Sequence, residues 1–220
     1  MKYRSVFDII GPVMVGPSSS HTAGAARIGL VARQLFQKEP EWAAFHLYGS
    51  FAKTYQGHGT DVALVGGILG FDTFDTRMTE SFKYAEDKGV SYSFYEEEAN
   101  LDHPNTVKIR LGAGKEEMEL VGISIGGGKV EIKELNGFEL RLSGNHPAIL
   151  VVHDDRYGTI ASVSTKLAEY EINIGHMEVS RKEQGKEALM VIEVDQNIDE
   201  KTMAEISKLE HVKKVTKIHD

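Results

Sequence analysis

The chain contains no cysteine among its 220 residues. It therefore makes no disulfide, offers no thiolate nucleophile and supplies no cysteine ligand to an iron–sulfur cluster. It also lacks an excess of basic charge: 25 Lys and Arg stand against 33 Asp and Glu, a net charge of −8. That balance excludes a general binder of nucleic acid or of anionic membranes, which needs a basic face. No apolar run approaches the roughly 20 residues required to span a bilayer. The opening residues Met1 to Asp8 carry no uninterrupted apolar core, so a cytoplasmic location is expected. What remains is an ordinary soluble composition, 41% hydrophobic and 26% charged, long enough for one large domain or two modest ones.

Two domains are expected. Ser143-Gly144-Asn145-His146-Pro147 collects turn formers between strand-like runs. The expected division is residues 1–143, a linker at 144–147, and a second domain at 148–220. In that second part Ala148–Val152 reads as a buried strand. Gly158 to about Glu171 follows with helical spacing, placing Ile160, Val163 and Leu167 on one face. Ile172–Ser180 and Glu187–Val194 read as strands around Glu183-Gln184-Gly185. Asp199 to about Glu210 is a second amphipathic helix, and Val212–Ile218 a closing strand. The order is β-α-β-β-α-β, the split-βαβ pattern of ferredoxin-like domains. The fold class is α+β.

The first part is less regular. Val6–Ile10 reads as a short helix or strand, and Gly11 to His21 as a loop. Ala23–Phe36 is a helix with Ile28, Ala32, Leu35 and Phe36 on one face. Phe45–Tyr48 is a strand, and Thr60–Leu69 an almost wholly apolar, buried helix. Tyr92, Phe94, Val107, Ile109, Leu111, Met118 and Leu120 alternate as in an antiparallel sheet. Glu96-Glu97-Glu98 reads as a solvated turn, Asp102-His103-Pro104-Asn105 as a loop, and Gly126-Gly127-Gly128 as a hairpin turn.

Two compact clusters carry chemistry. The first is Gly16-Pro17-Ser18-Ser19-Ser20-His21-Thr22, just before a helix. Consecutive hydroxyls there can cap free N–H groups, and a bound carboxylate can accept the rest. His21 has an imidazole able to exchange a proton near neutrality. The second is Gly57-His58-Gly59-Thr60-Asp61, preceded by Gly49-Ser50. Thr60 is a natural N-cap, Asp61 sits in the favourable first turn, and flanking glycines let the backbone approach a ligand. No Gly-x-Ser-x-Gly elbow, His-x-x-x-His spacing or phosphate-loop pattern accompanies them. Lys53 stands alone, so a Schiff-base role rests on nothing else.

These two clusters, in this order, together with Ser124-Ile125-Gly126-Gly127-Gly128, resemble the iron–sulfur-dependent L-serine dehydratases. The resemblance is to the beta chain of the two-chain bacterial form. The tail, through Val152 to Gly158 and Ile172-Asn173-Ile174, is similar to an ACT domain. The resemblance implies an L-serine ammonia-lyase, a carbon–nitrogen lyase of amino-acid catabolism that yields pyruvate and ammonia and serves gluconeogenesis. It implies a [4Fe–4S] cluster ligated by a cysteine-bearing alpha chain, with no metal held on this one. His21 and His58 are then alternative catalytic bases. Ser18, Ser19, Ser20, Thr22, Ser50, Thr60 and Asp61 are expected to bind L-serine. Asp155, Gly158 and Asn173 are expected to bind an effector, and the ACT domain to pair with a second copy. Another reading stands beside this one: a non-catalytic amino-acid sensor built from an effector-binding domain and an ACT domain.

Overall fold

The computed structural model describes residues 16, 18–99, 101–144 and 146–219. The expected element at Val6–Ile10 and most of the loop before His21 lie outside them. The chain divides into two compact units, the first ending at Val130 and the second beginning at Glu131.

In the first unit, helix α1 (Ala23–Phe36) leads to strand β1 (Trp42–Tyr48). Helices α2 (Gly49–His58) and α3 (Thr60–Ile68) follow, then a 3₁₀ turn at Thr76–Glu80 and α4 (Ser81–Asp87). Strands β2 (Ser91–Glu97), β3 (Asn105–Ala113) and β4 (Glu116–Gly126) complete it. These strands lie side by side in the order β2-β1-β3-β4. Ala43 pairs with Leu111, Phe45 with Ile109 and Leu47 with Val107, and Ile109 pairs in turn with Leu120. All of these side chains are buried. The period-two alternation therefore puts one face of the sheet into the core. Fully burying a side chain such as Phe45 or Ile109 contributes about 1.5–3 kcal/mol.

The first sheet is not wholly antiparallel, contrary to expectation. β2 runs parallel to β1, with Phe94 opposite Phe45 and Tyr92 opposite Ala43, whereas the remaining pairs in this unit are antiparallel. The reason lies in what separates the two strands: a helical crossover, which a parallel pair requires. Alternation alone carries no direction. Glu96 and Glu97 are not a turn either, because they end β2, and Glu97 pairs with His46 Nδ1 at 2.6 Å.

Helices α1 and α3 pack backbone to backbone. A Cβ at Gly67 would lie 2.3 Å from Ala26 O and 2.8 Å from Gly29 Cα, and one at Gly29 would lie 2.7 Å from Leu64 O. Only hydrogen fits at this crossing, so the glycines admit a close approach that alanine forbids.

Strand β5 (Lys129–Leu135) begins at the end of the first unit and continues into the second, where it forms a hairpin with β6 (Phe138–Leu142). Its turn is Asn136-Gly137, both at positive φ (49° and 79°), the geometry that favours Asn-Gly in a two-residue loop. Beyond it come β7 (Ala148–Asp154), α5 (Thr159–Glu169), β8 (Ile174–Arg181), β9 (Glu187–Val194), α6 (Glu200–Ser207) and β10 (Val212–Ile218). The sheet order is β10-β7-β9-β8, antiparallel throughout. This is the expected ferredoxin-like βαββαβ arrangement. Ile149, Val151, Val163, Leu167, Met190, Ile192 and Ile206 belong to its core. Ile160 departs from expectation, being 44% exposed while Val163 and Leu167 are buried. The second helix begins at Glu200, with the Asp199 carboxylate accepting from Thr202 N at 2.7 Å.

Candidate active site

Both clusters meet in the first unit. His21 is 7% exposed, in the turn that enters α1. Its Nδ1 lies 3.0 Å from Ser18 Oγ and 3.2 Å from Ser20 Oγ, and those two hydroxyls are 3.1 Å apart. Its Nε2 lies 3.0 Å from Ser50 Oγ. A neutral imidazole has one donor and one acceptor nitrogen, and hydroxyls serve either role. Both ring nitrogens are thus held whichever tautomer is present. The ring of Phe51 packs edge-on against His21, with centroids 5.2 Å apart. His58 does the same at 4.7 Å and 86°. Burial first, and the neighbouring His58 second, pull the His21 pKa below its ordinary value of 6.5, because both disfavour the imidazolium.

The local structure explains how His58 arrives there. Gly49 to His58 form a helix that the spacing of apolar residues does not disclose, since only Phe51 and Ala52 are buried in it. His58 therefore ends one helix rather than merely preceding the next. Gly59, at φ 69°, closes α2 and caps α3 in the left-handed region. Thr60 is accordingly the first residue of α3 and not its N-cap; its side chain is fully buried and its Oγ1 has no partner. His58 Nδ1 is likewise buried and unpartnered. A Cβ at Gly16 would fall 2.0 Å from His58 O, so the first cluster lies directly on the second.

The serines do not cap α1 as expected. Thr22, the residue before it, makes no side-chain capping bond; its Oγ1 donates to Ser18 O at 2.9 Å. Ser19 contributes its carbonyl, which accepts from Gly24 N at 3.0 Å. Asp61 is half-buried, and its Oδ1 accepts from its neighbour Val62 N at 2.9 Å. Burial raises its pKa against the opposing effect of that backbone bond. No hydrogen bond joins it to either histidine among the described residues. The structure thus brings Ser18, Ser20, His21, Ser50 and His58 together, and leaves Asp61 apart from the pair.

Two further segments build the site. The loop before β3, expected as a bare connection, anchors α2: Pro104 O accepts from Ser50 N at 2.7 Å. Gly49, at φ 56°, abuts that carbonyl so closely that a Cβ would lie 2.6 Å from it. The Gly126-Gly127-Gly128 turn takes φ of 103°, 61° and 75°, and Arg27 of α1 donates to Gly128 O at 3.3 Å. Just ahead of the turn, Ser124 sits fully buried on the helix-facing side of β4. Its Oγ is unpartnered and lies where a Cβ on Gly24 would come within 2.0 Å. In the amino-acid sequence the one signal that marks Ser124 is its place just ahead of three glycines.

In the second unit the three expected effector residues serve the chain itself. Asp155 Oδ2 accepts from Gly185 N at 2.8 Å and from Arg181 at 3.1 Å. Asn173 donates to Asp195 at 2.6 Å, and Gly158 is the left-handed N-cap of α5. A cavity of about 590 Å³ is lined by Gly158 together with Arg156, Thr159, Ser162 and His211, but by neither Asp155 nor Asn173.

Among the described residues no group of three His, Asp or Glu side chains is placed to hold a metal ion. Nor is any helix among them long and apolar enough to cross a membrane.

Comparison with known proteins follows the same division. A family model described as serine dehydratase beta chain matches residues 5–89, and one described as ACT domain matches residues 148–211. The chain is 66% identical to the probable L-serine dehydratase, beta chain, of Bacillus subtilis, covering 100% of both sequences. It is 40% identical to the L-serine dehydratase, beta chain, of Peptoniphilus asaccharolyticus, covering 94% of each. A D-3-phosphoglycerate dehydrogenase of Bacillus subtilis is 23% identical over 84% of this chain and 35% of its own length.

Proposed function

Since the chain belongs to the family of L-serine dehydratase beta chains and carries an ACT domain, we propose that it completes an active site with an alpha chain. In that site L-serine loses water to give aminoacrylate, which tautomerises and hydrolyses to pyruvate and ammonia. The observation that carries this reading is His21, held at both ring nitrogens by serine hydroxyls with His58 against its face.

Elimination requires removal of the α-proton and departure of hydroxide. His21 is the base. Its lowered pKa keeps the imidazole neutral at physiological pH, as acceptance of a proton demands, and general bases of this kind contribute about 10²–10⁴-fold. Ser18, Ser20 and Ser50 hold the ring in one orientation and supply hydroxyl acceptors for the imidazolium as it forms. His58 borders the base edge-on and disfavours a charge on it until the proton is taken. Hydroxide departure is not this chain's work. A [4Fe–4S] cluster needs thiolates, the sequence has none, and the residues of this site do not fit it. The cluster belongs to the cysteine-bearing alpha chain.

Anaerobic co-expression with that alpha chain, followed by a serine-to-pyruvate assay, tests the reading. Turnover is expected from the pair and from neither chain alone. Iron–sulfur reconstitution of this chain by itself is expected to leave it colourless. A stoichiometric cluster on the isolated chain, or no turnover by the assembled pair, defeats the proposal.

One observation favours a second reading, an effector-binding role for the same pocket: both ring nitrogens of His21 are already engaged by hydroxyls. The two part on the histidines. A sensor needs donors but no titratable base, so only the catalytic reading demands loss of turnover when His21 becomes Asn.

A further inference from the structure

We propose that Ser124 donates the hydrogen bond that seats the substrate carboxylate at the first turn of α1; this rests on reading the His21 site as one for serine elimination. Four of the hydroxyls that the sequence suggested for binding L-serine are already engaged. Those of Ser18 and Ser20 bond His21 Nδ1, that of Ser50 bonds Nε2, and that of Thr22 donates to Ser18 O. In the first unit, the buried side-chain atoms without a partner among the described residues are Gln34 Oε1, His58 Nδ1, Thr60 Oγ1 and Ser124 Oγ. Three of these four belong to the glycine-bearing motifs.

Ser124 lies between the first turn of α1 and the strand end beside Ser50. Its Oγ faces Gly24, in the first turn of the 14-residue helix α1, at a spacing only glycine allows. Its carbonyl accepts from Asn105 Nδ2 at 3.4 Å. Asn105 in turn bridges to Gly49, next to the Ser50 that holds His21. One side of Ser124 therefore abuts the helix turn that follows the His21 cluster, and the other ties to the strand end that positions Ser50.

A buried hydroxyl with no partner is unfavourable, and its unused donor marks where a ligand acceptor belongs. The N-terminal turn of a helix favours a negative charge. A neutral O–H aimed there binds a carboxylate without competing for the proton that His21 must take. A bond from a neutral donor to a charged acceptor, shielded from water, is stronger than one between neutral groups. The hydroxyl thereby selects substrates bearing an α-carboxylate over the corresponding amides.

The test uses the complex with the alpha chain, prepared anaerobically, and the variant Ser124→Ala. The expected result is a KM for L-serine raised about tenfold or more, with kcat within a few-fold of wild type, as removal of a carboxylate bond shared by ground and transition states requires. Inhibition by L-alanine, which keeps the carboxylate but has no leaving hydroxyl, should weaken in the same proportion, whereas any inhibition by L-alaninamide should not. Thermal melting of the isolated chain provides the second readout. Removing an unpartnered hydroxyl should leave Tm unchanged or raise it, while a packing role for Ser124 predicts a lower Tm. An unchanged KM in an active complex, or a fall in Tm that parallels the loss of activity, overturns the proposal while leaving the function standing. No turnover by the wild-type complex overturns both.

Discussion

The imidazoles of His21 and His58 meet edge to face at 4.7 Å and 86°, although one enters helix α1 and the other closes α2. The His58 ring disfavours a charge on His21. Burial and this neighbour together keep His21 below the ordinary histidine value. The contact leaves His21 poised to take a proton at neutral pH rather than to hold one.

Stability should report that titration. The His21 pKa in the folded chain lies below its unfolded value of 6.5, so the unfolded chain binds the proton more readily. The contribution is full above pH 6.5 and is lost as pH falls through the lowered folded value. Thermal melts of wild type between about pH 7.5 and 5 should show a decline that is shallower in His21→Asn. Parallel curves for the two proteins would rule out this origin.

Catalysis should divide unequally between the rings. In the complex with the alpha chain, His21→Asn should lower kcat by about 10²-fold or more, as expected for loss of a general base. His58→Asn should cost less and should move the acid limb of the pH–rate profile upward, because a group that depresses the His21 pKa is gone. Full turnover in both variants, with the complex intact, would assign the pocket to an effector instead.

The crossing of α1 and α3 makes a prediction about packing. Gly67→Ala would place a methyl 2.3 Å from Ala26 O, which the helices can relieve only by moving apart. A loss of about 1–3 kcal/mol is expected from such overpacking, measured as a lower denaturant midpoint. Gly70→Ala meets no atom within 4 Å but sits at φ 87°, so its loss is a backbone effect alone. Equal stability of Gly67→Ala and wild type would disprove the tight crossing.

Self-association through the ACT domain is a further expectation. β8 lies at the edge of its sheet, and Val179 on it is 40% exposed, as is Ile160 on α5 at 44%. Unpaired strand edges recruit partners. Sedimentation should find at least a dimer, and Val179→Lys should weaken it. A strictly monomeric wild-type profile would remove the basis for this pairing.

Much of the architecture is legible in residue order. Ala23–Phe36 is a helix and Glu187–Val194 and Val212–Ile218 are strands within the expected bounds, because their apolar periods of 3.6 and 2 are strong. Helix α2 is hidden for the opposite reason. Two glycines and only two buried side chains leave it no stripe, and contacts with neighbouring strands hold it instead. The direction of β2 is equally silent, since alternation specifies which face a residue occupies and not which way its strand runs.

Residue order alone establishes that no thiolate exists, that a βαββαβ unit follows the first, and that imidazoles and hydroxyls crowd two glycine-flanked segments. Which of these groups meet is set by the tertiary fold. His58 reaches His21 because α2 folds back from Ser50, and Thr60 is buried because Gly59 takes the capping position. Ser124 joins them because β4 alternates through Met118, Leu120 and Gly122 to its buried face. Local pattern records each residue's preference for a face or a turn; which side chains share a site depends on how distant segments pack, and that is a property of the folded chain alone.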